Sequence, residues 1–76
     1  MQRTLFTSNA IAGAGYDSET LRLDIEFRDG AAYRYNGVPS AIWAKLLQSE
    51  SKGRYLNAEI RGRFECARIP GIATQF

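Results

Sequence analysis

The side chains best equipped for chemistry in this 76-residue chain are arginines and tyrosines. Arg54, Asn57 and Arg61 stand at i, i+3 and i+7, a spacing that shares one helix face, with Lys52 and Arg63 at its two ends. Tyr33 and Tyr35 bracket Arg34. Guanidinium groups suit phosphates and carboxylates, and Tyr33, Tyr35 or Trp43, where exposed, can stack on bases. Catalytic vocabulary is thin by comparison. Histidine is absent, which removes the commonest general base and the commonest metal ligand. The single cysteine, Cys66, can form neither an internal disulfide nor a zinc site, and between Glu65 and Ala67 it reads as a small packed side chain. The serines have no base to deprotonate them and suit turns and caps. Asp24 and Glu26 could in principle hold a hard cation, but alternate carboxylates on a strand ordinarily carry solubilising charge. Gly13-Ala14-Gly15 is followed by Tyr16-Asp17 and no helix, so it is not a phosphate loop. The expectation is a domain that binds and does not catalyse, with no metal and no cofactor.

The elements that must position these groups follow from periodicity. Leu21, Leu23, Ile25 and Phe27 alternate with Arg22, Asp24, Glu26 and Arg28, the pattern of a strand with one dry and one wet face. Asp29-Gly30 turns it into a second strand, residues 31–35, and residues 10–16 form a weaker, glycine-containing strand before it. Two hairpin registers are open. A two-residue Asp29-Gly30 turn pairs Ile25 with Arg34 and leaves Tyr33 and Tyr35 on the wet face. A three-residue Arg28-Asp29-Gly30 loop pairs Ile25 with Tyr33 and Leu23 with Tyr35, sending Arg34 to water. Placing Arg34 among aliphatic side chains would cost several kcal/mol unless it is paired, which favours the longer loop.

Beyond Asn36-Gly37, Pro39 suits a first helical turn, and Ile42, Trp43, Leu46 and Leu47 make one apolar stripe. Ser51 is placed to cap a second helix over 52–61, with Tyr55, Leu56 and Ile60 inward and Gly62 as its stop; Glu59 falls on the same inward arc. Residues 63–69 read as extended, a candidate returning strand, and Pro70-Gly71 ends the ordered part. The expected class is α+β: a small antiparallel meander of about three strands, packed on one face by two short helices.

Composition agrees. Hydrophobic residues make up 45% and charged residues 24%, a globular balance, in a chain long enough for one domain over 1–76. A chain this short buries only roughly 60% of its extended surface, so a homodimer would add useful burial. Residues 1–38 carry four arginines against five carboxylates; residues 39–76 carry six basic side chains against three acidic ones. The basic surplus in the second half favours an anionic partner. No signal peptide or membrane-spanning run is visible, and the lone cysteine fits a reducing compartment, so a cytoplasmic location with no membrane partner is expected.

The motifs, taken in order, resemble the KTSC domain, a short family found at the C-terminus of some lysyl-tRNA synthetases and as small stand-alone bacterial and phage proteins. Ser8-Asn9-Ala10-Ile11, Gly15-Tyr16-Asp17, the alternating Leu21–Phe27 run, Asp29-Gly30, the Y-x-Y signature Tyr33-Arg34-Tyr35, Asn36-Gly37-Val38-Pro39 and Ser51-Lys52-Gly53-Arg54-Tyr55-Leu56-Asn57 carry it. It spans roughly residues 8–69, leaving 70–76 as a tail; Leu56 stands where an aromatic residue is expected. The resemblance implies no established activity, although RNA binding is suggested by the synthetase context. Three partners are therefore carried forward: RNA or another nucleic acid, engaged through Tyr33, Arg34, Tyr35, Lys52, Arg54, Asn57, Arg61 and Arg63; a protein, for example a host complex bound by a phage-encoded adaptor; and, less favoured, a small anionic ligand such as a nucleotide.

Overall fold

The computed structural model of the chain describes residues 2–7 and 10–69. Five strands form one antiparallel sheet, each paired with the next in the chain: β1 (Gln2–Leu5), β2 (Ile11–Asp17), β3 (Arg22–Phe27), β4 (Ala32–Asn36) and β5 (Glu65–Ile69). Between β4 and β5 the chain leaves the sheet for α1 (Ser40–Gln48) and α2 (Lys52–Tyr55), and α2 runs into one wide π-type turn over Leu56–Ile60. The α+β class holds. The sheet, however, has five strands where about three were expected. The candidate returning strand is β5, and the addition is β1, whose four residues carry no apolar alternation and become a strand only by pairing Gln2–Leu5 with Tyr16–Gly13. Ser8-Asn9 and the tail over 70–76 lie outside the described residues.

The hairpin adopts the three-residue loop. Leu23 pairs with Tyr35 and Ile25 with Tyr33, the Phe27 N–H donates to the Ala31 carbonyl at 2.8 Å, and Gly30 sits at φ +94°, a conformation open to glycine at little cost. One sheet face therefore gathers Ala14, Tyr16, Leu23, Ile25 and Tyr35 against Trp43, Leu46, Leu56 and Ile60. Each fully buried aliphatic side chain there contributes roughly 1.5–3 kcal/mol. Leu56 and Ile60, at the two ends of the π-type turn, are both buried in this core, and Glu59 is half-buried.

The other face departs from expectation. Asp24 and Glu26 are only 2% and 5% exposed, not wet. Arg34 does not simply face water: its Nε and Nη2 donate to Asp24 Oδ1 and Oδ2 at 2.9 and 3.1 Å, so the arginine lies along the carboxylate opposite it and covers it. At the sheet's far end Val38 fixes the entry to α1. Its N–H donates to the Leu21 carbonyl at 2.8 Å, and its own carbonyl accepts from the Tyr16 hydroxyl at 2.6 Å. Tyr16 in turn stacks on Trp43, ring centres 5.5 Å apart.

Candidate functional site

Strand alternation divides the Y-x-Y signature. Tyr33 and Tyr35 project to the helix side and Arg34 to the opposite face, where Asp24 takes both prongs of its fork. Tyr33 and Tyr35 then line a cleft of about 360 Å³. Phe27, Asp29 and Ala31 enter it from the hairpin, Cys66 from β5, and Arg61 and Gly62 from the segment that leaves the π-type turn. The Arg61 N–H closes that turn on the Leu56 carbonyl at 2.8 Å, and Gly62 at φ +80° swings the chain back toward β5. These two steps bring Arg61 to the tyrosines. Phe27 and Tyr33 meet edge to face at 5.8 Å.

The electrostatics of the cleft are set by burial and by one cation. Burial pushes the Tyr35 phenol up to about 12, reinforced by the Cys66 thiol that hydrogen-bonds to it across β4 and β5 and opposed by nearby Arg61. Tyr35 is therefore a neutral hydroxyl throughout the physiological range. Arg61 gives one N–H to Asn57 Oδ1 at 3.3 Å. The β4–β5 register also sets Arg68 opposite Tyr33, on the cleft side of the sheet. Arg54, Arg61, Arg63 and Arg68 are exposed, and none has an ion pair among the described residues.

A second, larger hollow of about 720 Å³ lies where the chain between β1 and β2 meets α2; Thr7, Ala10, Glu50, Arg54 and Asn57 are among its lining. Of its two cations, Arg54 is exposed with no ion pair among the described residues, whereas Lys52 is committed elsewhere. Lys52 Nζ donates to the Leu47 and Ser49 carbonyls at 2.9 and 2.6 Å and sits 5.4 Å from the centre of the Phe6 ring. It satisfies carbonyls left over at the end of α1 and ties the β1–β2 connection to the helices. Gly53 supports the same junction. A Cβ there would stand 3.4 Å from the Ala10 Cβ, at the edge of ordinary contact between the two segments.

Of the candidate residues, Tyr33, Tyr35 and Arg61 come together. Arg54 and Asn57 line the other hollow, joined to Arg61 through the Asn57 hydrogen bond. Arg63 is exposed and lines neither hollow; Arg34 and Lys52 are held by internal partners. Phe27, Asp29, Cys66 and Arg68 were not anticipated. Only the β4–β5 register, a non-local fact, puts the last two beside the tyrosines.

A family model for the KTSC domain matches residues 7–64. An uncharacterized protein from Stutzerimonas stutzeri is 40% identical over 57 residues, which is 75% of this chain and 80% of that protein. A lysine–tRNA ligase from Nostoc punctiforme is 38% identical over 54 residues, 71% of this chain but only 10% of the ligase. The crystal structure of a KTSC domain protein from Yersinia pestis superimposes with a TM-score of 0.86 at 37% identity, covering 90% of this chain and 96% of that one. No helix among the described residues is long and apolar enough to cross a membrane.

Proposed function

The chain belongs to the KTSC domain family, and on that premise we propose that it is a non-catalytic binding module whose ligand is RNA or another nucleic acid. The observation that carries this is the cleft that Tyr33 and Arg61 line together; Arg68 lies on the same sheet face, and Arg54 and Arg63 are exposed elsewhere with no ion pair among the described residues. Aromatic faces stack bases for roughly 1–3 kcal/mol each, and arginines neutralise phosphates at a cost in affinity that rises with salt. The occurrence of a related segment within lysine–tRNA ligases, proteins named for acting on tRNA, supports the same ligand class.

The test is fluorescence anisotropy of labelled single-stranded RNA across a salt titration. Affinity falls with salt at a slope near −0.7 per phosphate contacted. Arg54→Ala combined with Arg61→Ala flattens that slope by about 1.4 and weakens binding at least tenfold. No binding, or a flat salt response, removes the proposal.

One feature favours a protein partner as a second reading. β5 is an edge strand whose outer side pairs with no described residue, and Glu65, Cys66, Ala67 and Arg68 are all exposed along it. Such an edge accepts an added strand. Co-purification with and without nuclease separates the two: a stoichiometric protein that survives nuclease supports the edge, and material lost with nuclease supports the nucleic acid.

A further inference from the structure

We infer that the cleft between Tyr33 and Arg61 is a pocket for one unstacked base and that Asp29 makes it select guanine. The inference rests on the nucleic-acid reading above and goes further, to a ligand group and a specificity-determining residue.

Size comes first. At about 360 Å³ the cleft lies near the lower end of ligand pockets, roughly 300–1,000 Å³, which suits one base with its sugar and not a paired helix. Bases become available to such a pocket only where a strand is splayed open, in loops, bulges and ends. Tyr33 is half-buried and its hydroxyl has no hydrogen-bond partner among the described residues, so ring and hydroxyl are both available to an incoming base.

Polarity decides which base. A carboxylate is out of place in a site that gathers phosphates unless it faces hydrogen-bond donors. Asp29 is fixed by its own turn, Oδ1 accepting from the Ala31 N–H at 2.9 Å, while Oδ2 has no described partner. Arg61 enters from a different segment, with only one N–H committed, to Asn57. The cleft therefore offers an acceptor from one element and several donors from another across an aromatic floor. Guanine has the complementary edges: adjacent donors at N1 and the 2-amino group, and adjacent acceptors at O6 and N7, the pair that arginine engages most often. Adenine and cytosine set one amino donor beside an acceptor, and the single N–H of uracil is flanked by two carbonyl oxygens that a carboxylate repels. Tyr35 is a neutral phenol at the pH of the assay, as any tyrosine is, so it adds no second negative charge to the floor.

The experiment compares four labelled uridine heptamers whose central residue is G, A, C or U, by anisotropy at fixed low salt. The guanine heptamer binds at least about tenfold more tightly than the all-uridine one, within the usual range for bidentate base readout. Replacing guanosine by inosine, which lacks the 2-amino group, lowers the preference without touching the protein. Asp29→Asn retains the side-chain oxygen that the Ala31 N–H needs but presents an amide in place of the free carboxylate oxygen. It erases the guanine preference, so that within the variant the guanine heptamer binds no more tightly than the all-uridine one, with a thermal melt confirming the fold. Equal affinity for all four heptamers, or a guanine preference intact in Asp29→Asn, overturns the assignment of Asp29 while leaving salt-dependent RNA binding in place. Failure of every heptamer to bind overturns both.

Discussion

Lys52 and Arg61 belong to one basic stretch of sequence, yet they do opposite things. At the corner between the helices the Lys52 ammonium is absorbed by the Leu47 and Ser49 carbonyls and by the Phe6 ring. At the cleft Arg61 spends one N–H on Asn57 and keeps the rest of its fork free beside Tyr33 and Tyr35. The difference lies in what surrounds the cation. A helix end leaves carbonyls without partners, and a nearby ammonium satisfies them; Arg61 follows a turn that closes on its own backbone. Arg34 repeats the first case on the opposite face, where a cross-strand carboxylate captures it. Positive charge in a sequence thus measures available charge only after the backbone and its carboxylates have taken their share.

The largest effect that would break this division is expected at Arg34. Arg34→Ala leaves the Asp24 carboxylate, 3% exposed in its side chain, without its two-pronged partner. Losing one member of a buried pair costs about 3–5 kcal/mol; because the Arg34 side chain is itself 36% exposed, about 2–3 kcal/mol is expected, read from urea unfolding. RNA affinity should not change. A stable Arg34→Ala protein with weakened binding would move Arg34 into the binding surface and erase the contrast between the faces.

Next in size is the direct comparison. Lys52→Ala removes two charge-assisted bonds to carbonyls and should cost about 1–2 kcal/mol of stability, with the salt slope of RNA binding unaltered. Arg61→Ala should do the reverse, lowering affinity and salt slope while changing stability by less than about 0.5 kcal/mol. Measuring both variants by urea melt and by anisotropy sharpens the distinction, and similar profiles for the two would dissolve it.

How much of this could be read from sequence divides along the same line. Local features were legible: the α1 stripe that buries Trp43 and Leu46, the Ser51 cap that accepts from the Arg54 N–H, and Gly62 as the stop. The hairpin register was legible too, because only one choice spared Arg34 a place among aliphatic side chains. The rest depends on partners distant in the chain. β1 exists through β2, Lys52 is consumed by carbonyls that no residue type announces, and Cys66 and Arg68 reach the tyrosines only through the β4–β5 pairing. The cleft was therefore half visible, as Tyr33, Tyr35 and Arg61, without Asp29, the residue assigned its selectivity.

The smallest effect tests how dry the cleft floor is. The Tyr35 phenol is raised from 10.0 to about 12, chiefly by burial. Its folded-state value lies above the unfolded one, so the contribution of the neutral hydroxyl is complete below pH 10 and is lost as pH climbs from 10 toward about 12. Tyr16 and Tyr55 are also raised by burial and share the alkaline loss, so Tyr35→Phe should make that limb shallower without abolishing it. At neutral pH the variant should differ little, since phenylalanine keeps the ring and forfeits only the bond to Cys66. Urea midpoints at pH 9, 10 and 11 measure the difference. Equal losses in variant and wild type would mean that water already reaches the Tyr35 hydroxyl, and a wet floor would weaken the arginine and carboxylate of the cleft as readers of a base.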